Sequence, residues 1–357
     1  MAPPRHAIVC GAGVVGASVA YFLARRGVAV TIVERSGVAC AASGKSGGFL
    51  ALDWCDDSPL GPLARASFAL HARLARDLGT DYGYRRMTTF MVAARESGAV
   101  AGGHRVRAPA WLDAAGVVTA ELGSTETTAQ VEPARFTAAL VDGARALGAA
   151  LRTGTVDDVR AHDGVVGVRV DGETLSADAV VLALGPWTGR LARLGLPRVR
   201  GLKGHSVTLR GPDVPADAVF VDYRTADGRA LEPEIFPRPD GTVYVCGMAD
   251  PAPLPESPEA VEVSDVACAT LARAAGRVST ALAAAPIERR QACYRPVTDD
   301  GLPLIGRVPR VPGAYVATGH GPWGMLNAPA TGLALAELVT GATPSVDLRP
   351  FDPAWRS

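Results

Sequence analysis

The first residues in the chain with an evident chemical task are glycines. Gly11-Ala12-Gly13-Val14-Val15-Gly16 follows a short apolar run, Ala7–Cys10, and opens a helical stretch through Arg26 that Gly27 ends. Val28–Val33 reads as a second strand, with Glu34 and Arg35 directly after it. Gly11 permits a tight bend, Gly13 lets the backbone approach a pyrophosphate, and Gly16 lets the helix pack close to the sheet. Val14 and Val15 stand at the helix N-terminus, which offers free N–H groups and a partial positive charge to phosphates. Glu34 can accept hydrogen bonds from adenosine ribose hydroxyls, and its charge would repel a 2′-phosphate. Glycine turns that bind nothing are common; here the strand, turn, helix, second strand and acid all occur in the order a dinucleotide site requires.

That motif does not separate NAD from FAD. A second small-residue loop, Ala41-Ala42-Ser43-Gly44-Lys45-Ser46-Gly47-Gly48-Phe49, lies just past the acid. It suits a longer cofactor lying extended, with Ser43 and Ser46 beside the pyrophosphate or ribityl chain. Gly47 and Gly48 would let the chain pass over a flavin ring. A flexible surface loop fits this stretch equally well. Near the other end, Gly319-His320-Gly321-Pro322-Trp323-Gly324-Met325 precedes a helix running to about Leu338. Its glycines free N–H groups near a helix start, where the negative charge of a reduced flavin can be held.

The elements that must position these loops are legible in part. Val131–Leu147 reads as a helix; Leu151–Val159, Gly164–Val170, Ala179–Leu184 and Tyr315–Ala317 read as strands. Thr88–Ala94 and Ser206–Arg210 are further strands. Ile235–Gly247 is a hairpin through Pro239-Asp240-Gly241. Pro251–Pro258 is a proline-rich surface loop, and Val261–Ala284 reads as one helix.

Composition narrows the function. The 357 residues suggest about two domains. The 36 basic and 36 acidic residues cancel, so no basic surplus points to nucleic acid or an anionic membrane. The six cysteines, Cys10, Cys40, Cys55, Cys246, Cys268 and Cys293, form no C-x-x-C pair, which argues against a zinc site and a disulfide scaffold and suits a reducing, cytoplasmic compartment. Residues 7–24 carry no charge, but Gly11, Gly13 and Gly16 interrupt them, so a buried strand, turn and helix explain them better than a membrane span or a signal peptide.

The glycine turn with Glu34, the strand ending Leu184-Gly185-Pro186-Trp187, the Tyr294-Arg295-Pro296 step and the run from Gly319 to Gly332 occur in the same order in the D-amino-acid oxidase superfamily. The chain resembles its branch of glycine and monomeric sarcosine oxidases. The resemblance implies an α/β fold: a discontinuous FAD-binding Rossmann-like domain (residues 1–80, 127–200 and 288–357) with an inserted, mainly antiparallel sheet for substrate (residues 81–126 and 201–287). It implies FAD, held non-covalently or through a cysteine, hydride loss from the carbon next to an amine, and reoxidation by O2 to H2O2. Gly185, Trp187 and Val156 join the FAD-contact set alongside the glycine motifs. A dehydrogenase passing electrons elsewhere, or a flavoprotein without turnover, are the alternatives.

Candidate substrate-site residues come from that alignment of motifs and from the residue types themselves. Arg295 matches the arginine that grips the substrate carboxylate, as a fixed fork of donors can; a surface arginine is the plain alternative among 34. Glu234 stands where relatives tend to carry a tyrosine, so it either brings a carboxylate into the pocket, favouring a cationic group or taking a proton, or is an exposed acid at a strand start. Cys293 resembles the cysteine linked to flavin in monomeric sarcosine oxidase, or is a small buried hydrophobe. Lys45 and Lys203, the only lysines, suit a point charge near flavin or oxygen. His320 and His205 are expected as site neighbours or as satisfied structural groups.

Overall fold

The computed structural model describes residues 3–162, 165–211 and 214–356. The strand His6–Cys10 is buried on both faces. Ala7 and Val9 face a helical layer, while Ile8 and Cys10 face a second, smaller sheet. A strand covered on both sides has no polar alternation, which is why this stretch reads as continuously apolar. It pairs in parallel with Ala29–Glu34 on one side and Ala179–Leu182 on the other. Ala150–Thr153 and Ala314–Thr318 extend the parallel sheet, and Leu304–Arg307 closes its edge antiparallel. The helices Val14–Arg25, Pro133–Ala146 and Gly324–Val339 cover one face; the meander Val156–His162, Val165–Val170 and Glu173–Ala177 covers the other. The uncharged run of residues 7–24 is thus a buried strand, a turn and a buried helix, and no helix among the described residues is long and apolar enough to cross a membrane.

A second, eight-stranded sheet runs in the order Ile287–Thr298, Val199–Arg210, Thr242–Asp250, Glu234–Pro237, Asp217–Arg224, Thr88–Arg95 and Val117–Gly123, with Ala230–Leu231 paired to Asp217–Arg224. Its pairs are antiparallel except Asp217–Arg224 against Thr88–Arg95, which is parallel. The period of two sorts its side chains. Val219, Val221, Ile235, Val243 and Val245 face the helices Asp265–Gly276 and Thr280–Ala284. Ala218, Phe236, Tyr244 and Cys246 face the other way. The architecture is α/β, with the large sheet set beside the nucleotide-type layer. Ile287–Thr298 is an edge strand of the large sheet, although the sequence division assigned residues 288–357 to the nucleotide side.

Several elements differ from the sequence reading for local reasons. The helix expected from Val131 starts at Pro133, because the Glu132 side chain accepts the Arg135 N–H (2.6 Å) and caps it. Leu151–Val159 is two strands broken at Gly154-Thr155. Val261–Ala284 is not one helix: Ser264 caps Asp265–Gly276 by accepting the Ala267 N–H, and a second short helix begins at Thr280. The strand expected from Gly164 is seen from Val165, Gly164 itself lying outside the described residues. The helix Gly61–Asp77 was not foreseen.

Candidate active site

A single cavity of about 800 Å³ runs from Glu34, along the glycine turn and the second loop, to Arg295 on the large sheet. That volume lies toward the upper end of the roughly 300–1,000 Å³ range of ligand pockets. Gly11, Gly13, Val14 and Val15 line its first part together with Glu34 and Arg35. Gly11 has φ +107°, and a Cβ there would lie 2.4 Å from the Ala183 carbonyl oxygen. Gly16 does not line the cavity; a Cβ on it would lie 2.0 Å from the Gly11 carbonyl oxygen. This is the close helix–sheet approach that the motif requires. One Glu34 carboxylate oxygen accepts the Ala12 N–H (2.8 Å), and the other accepts the Ser36 N–H (2.9 Å), which aims the acid at the turn.

The second loop is held from behind, so the free surface-loop reading does not apply. Tyr244 donates its hydroxyl to the Lys45 carbonyl (2.6 Å), and Arg238 donates to the Ser46 carbonyl (3.0 Å). Ser43 accepts the Val14 N–H through its Oγ (2.9 Å). Ser43, Lys45, Ser46, Gly47 and Gly48 line the cavity. Gly44 does not: it packs on the turn at Ala39, whose carbonyl oxygen a Cβ would meet at 2.2 Å. The two following glycines are demanded by the protein itself. A Cβ on Gly47 would strike the Phe236 ring at 2.5 Å, and one on Gly48 (φ +77°) the Val131 carbonyl oxygen at 2.0 Å.

Val156, Gly185 and Trp187 also line the cavity, with the Trp187 indole donating to the Pro255 carbonyl (3.0 Å). From the C-terminal run, His320, Gly321, Gly324 and Met325 do so. Gly319 does not; it has φ +79° and turns the chain beside Thr298. His320 is buried, with Nε2 on the Thr331 hydroxyl (3.0 Å) and no partner at Nδ1. Burial pushes its pKa down to about 4, so the ring is neutral. The residues present fit a flavin dinucleotide. A glycine cradle that a Cβ would fill sits at one end, a helix start at the other, and the buried Ser46 Oγ, His320 Nδ1 and His205 Nε2 lack protein partners.

The large sheet supplies the other wall. Cys293 and Arg295 project from one strand, paired with Gly204 and Leu202; on the far side of Val199–Arg210, Cys246 pairs with Ser206 and Glu234 with Cys246, and Cys293, Arg295, Cys246 and Glu234 all line the cavity. The Arg295 guanidinium lies over Gly204, 3.8 Å from where a Cβ would sit. Burial works against its charge, but Cys246, Glu234, Tyr244 and Cys293 together raise its pKa. Burial raises the Glu234 pKa against the opposing pull of Arg295, and the Cys246 thiol donates to its Oε2 (3.4 Å). Among the described residues no carboxylate lies within 4.0 Å of Arg295, so its fork is directed at the cavity. Burial likewise raises the Cys293 thiol, with Arg295 and Lys45 opposing.

Glu234 is therefore not an exposed acid, and Arg295 is not a surface arginine. Lys45 reaches the cavity, its Nζ 3.4 Å from the Ala292 carbonyl. Lys203 does not; it is buried in an ion pair with Asp250 (3.3 Å). His205 lines the cavity, with Nδ1 on the Met248 carbonyl (3.3 Å). The sequence reading missed an aromatic wall. Phe49 and Trp54 stand 5.1 Å apart by ring centroids, Trp54 and Phe220 5.0 Å, and Phe220 and Phe236 5.8 Å, with Trp323 6.4 Å from Trp54. Phe236 was findable from strand alternation with Glu234; Phe220 reaches the same face only through the pairing of Asp217–Arg224 with Glu234–Pro237, and Trp54 sits in a stretch without a periodic signal.

The FAD dependent oxidoreductase family profile matches residues 6–338. A protein of Schizosaccharomyces pombe is 31% identical, over 99% of this chain and 99% of that one. Glycine oxidase of Geobacillus kaustophilus is 31% identical over 96% of this chain and 95% of its own. The crystal structure of glycine oxidase from that organism superposes with a TM-score of 0.81 at 28% identity, covering 99% of both chains.

Proposed function

The chain belongs to the FAD dependent oxidoreductase family, within the D-amino-acid oxidase superfamily, and on that footing we propose that it oxidises the C–N bond of an amino acid or secondary amine that carries a carboxylate. One observation carries the reading: Arg295 and Glu234 face the same cavity that begins at the dinucleotide turn. FAD bound here would supply the hydride acceptor, with O2 as the reoxidant and H2O2 as its product.

The residues divide the remaining work. Arg295 takes the substrate carboxylate through two parallel N–H donors, which fixes the carbon to be oxidised. Glu234, in the same cavity and within electrostatic reach of that anchor, accepts the ammonium proton, so the nitrogen lone pair becomes available. Its raised proton affinity brings it closer to that of an amine than an ordinary carboxylate would be. The half-buried rings of Phe49, Trp54, Phe220 and Trp323 close off water on the open side. Their faces also favour a cation, so a substrate with a second positive group is preferred. His320, neutral and with a free Nδ1, stands with Gly321, Gly324 and Lys45 at the flavin end. Because burial raises the Cys293 thiol, we propose that FAD is held without a bond to it.

The test is H2O2 release from the purified holoenzyme over a panel of amino acids and N-methyl amines, with anaerobic bleaching of the flavin measured in parallel. Bleaching with H2O2 supports an oxidase. Bleaching without H2O2 points instead to a dehydrogenase, and no bleaching by any amine would remove the reading.

A further inference from the structure

Pro329 lies inside the helix Gly324–Val339, the helix whose first residues line the flavin end of the cavity. A proline there removes the hydrogen bond to the carbonyl four residues back, Met325, and its ring pushes that carbonyl aside. Helices with an interior proline kink unless the freed groups find other partners. Here they find them on one neighbouring helix, Gly61–Asp77. His71 Nε2 lies 3.0 Å from the Met325 carbonyl and 3.2 Å from the Leu326 carbonyl. Ser67, one turn earlier, accepts the Ala330 N–H at 3.1 Å. Both side chains are fully buried. Two carbonyls can only accept, so Nε2 carries the ring proton. Burial keeps the imidazole neutral by pushing its pKa down to about 4, despite those two bonds.

We propose that Ser67 and His71 form a clamp that takes over main-chain bonds disrupted by Pro329, and so position the start of this helix against the flavin. The inference rests on the proposed FAD site. The clamp touches neither cofactor nor substrate; it acts through Met325 and Leu326, within three residues of the helix start at Gly324. Met325 lines the cavity while its carbonyl is held by His71. If that carbonyl loses its donor, the first turn is free to rotate, and the N–H groups that hold negative charge on the flavin lose their aim.

The test is a cycle of His71→Leu, Pro329→Ala and the double variant, read by two constants. These are the Kd of FAD for the apoprotein, from flavin fluorescence, and the Kd of sulfite for the flavin of the holoprotein, from loss of the visible band. Sulfite adds to the flavin and leaves negative charge on the ring, so its affinity reports how well that charge is held, independently of turnover. Leaving a buried carbonyl without its donor corresponds to roughly ten- to a hundredfold in such a constant. His71→Leu should weaken sulfite binding by about tenfold or more on that scale. The double variant should recover most of the loss, because Pro329→Ala restores the helix's own N–H to the Met325 carbonyl. A double variant no better than His71→Leu, or a His71→Leu protein with both constants unchanged, overturns the clamp. Should His71→Leu not fold, recovery of folded, flavin-loaded protein in the double variant supports it, and failure to recover overturns it. If wild-type apoprotein takes up no FAD at all, the reading of the site fails instead, which separates the two.

Discussion

Replacing Arg295 with alanine tests the substrate anchor most directly. The guanidinium lies over Gly204 on the cavity wall, with no carboxylate of the described chain within 4.0 Å. Its fork is therefore committed to whatever enters. Removing it leaves the substrate carboxylate without its bidentate partner, and the ammonium of Lys45 in the same cavity is a point charge that cannot reproduce the fork. Losing a charge-assisted bidentate contact in that setting costs about 3 kcal/mol or more, which is roughly a hundredfold in kcat/KM. A second effect follows from the neighbouring acid. Burial raises the Glu234 pKa and Arg295 pulls it down, so removing Arg295 lets it rise further. A base is active only when deprotonated, so the acid limb of the kcat/KM profile should move to higher pH. Steady-state kinetics across pH, on the best carboxylate substrate and on the same amine without its carboxylate, separates the two effects. The hundredfold loss should appear only with the carboxylate substrate, and the shift of the limb with both. FAD content should stay intact, and Arg295→Lys should rescue only partly, since a point charge cannot reproduce the fork. Unchanged kcat/KM on the carboxylate substrate, or an equal loss on both compounds, would refute the assignment.

Three further outcomes are expected. Glu234→Gln should flatten the acid limb and reorder substrate preference, with the largest loss in kcat/KM for compounds bearing a second cationic group, while the flavin spectrum stays as it is. Acid precipitation should release the yellow colour into the supernatant, with intact mass equal to the apoprotein; a yellow pellet that Cys293→Ser abolishes would establish a covalent link instead. Gly16→Ala puts a Cβ 2.0 Å from the Gly11 carbonyl oxygen, backbone against backbone. The helix must then lift off the sheet at a cost of about 1–3 kcal/mol, seen as a lower Tm and weaker FAD retention.

The nucleotide half of this protein is written largely locally. Gly16 against the Gly11 carbonyl and Glu34 on the Ala12 N–H act within one strand–turn–helix–strand unit, so their spacing states the task, whereas the Ala183 carbonyl that crowds Gly11 comes from a distant strand end. Strand alternation carried nearly as far, because a period of two sets which side chains share a face. It could not set which strands lie side by side. Cys246 meets Glu234 only because Thr242–Asp250 pairs with Glu234–Pro237 in one register. Arg295 meets them through Val199–Arg210, which runs between its own strand and theirs. Lys203 and Gly204 are neighbours in sequence, yet one is tied to Asp250 and the other lies beneath Arg295, because adjacent residues on a strand face opposite sides.

Other features had no local signal at all. Gly47 and Gly48 line the cavity as the sequence reading expects, but what a Cβ on them would strike, the Phe236 ring and the Val131 carbonyl, comes from distant parts of the chain. Pro329 reads as a breaker of its helix. Its compensation comes from His71, 254 residues away from Met325 in sequence and on a helix that the sequence reading did not find. Steric rules on the backbone act between neighbours and survive in the sequence. Packing partners are chosen by the whole chain's burial, and only the tertiary structure records that choice.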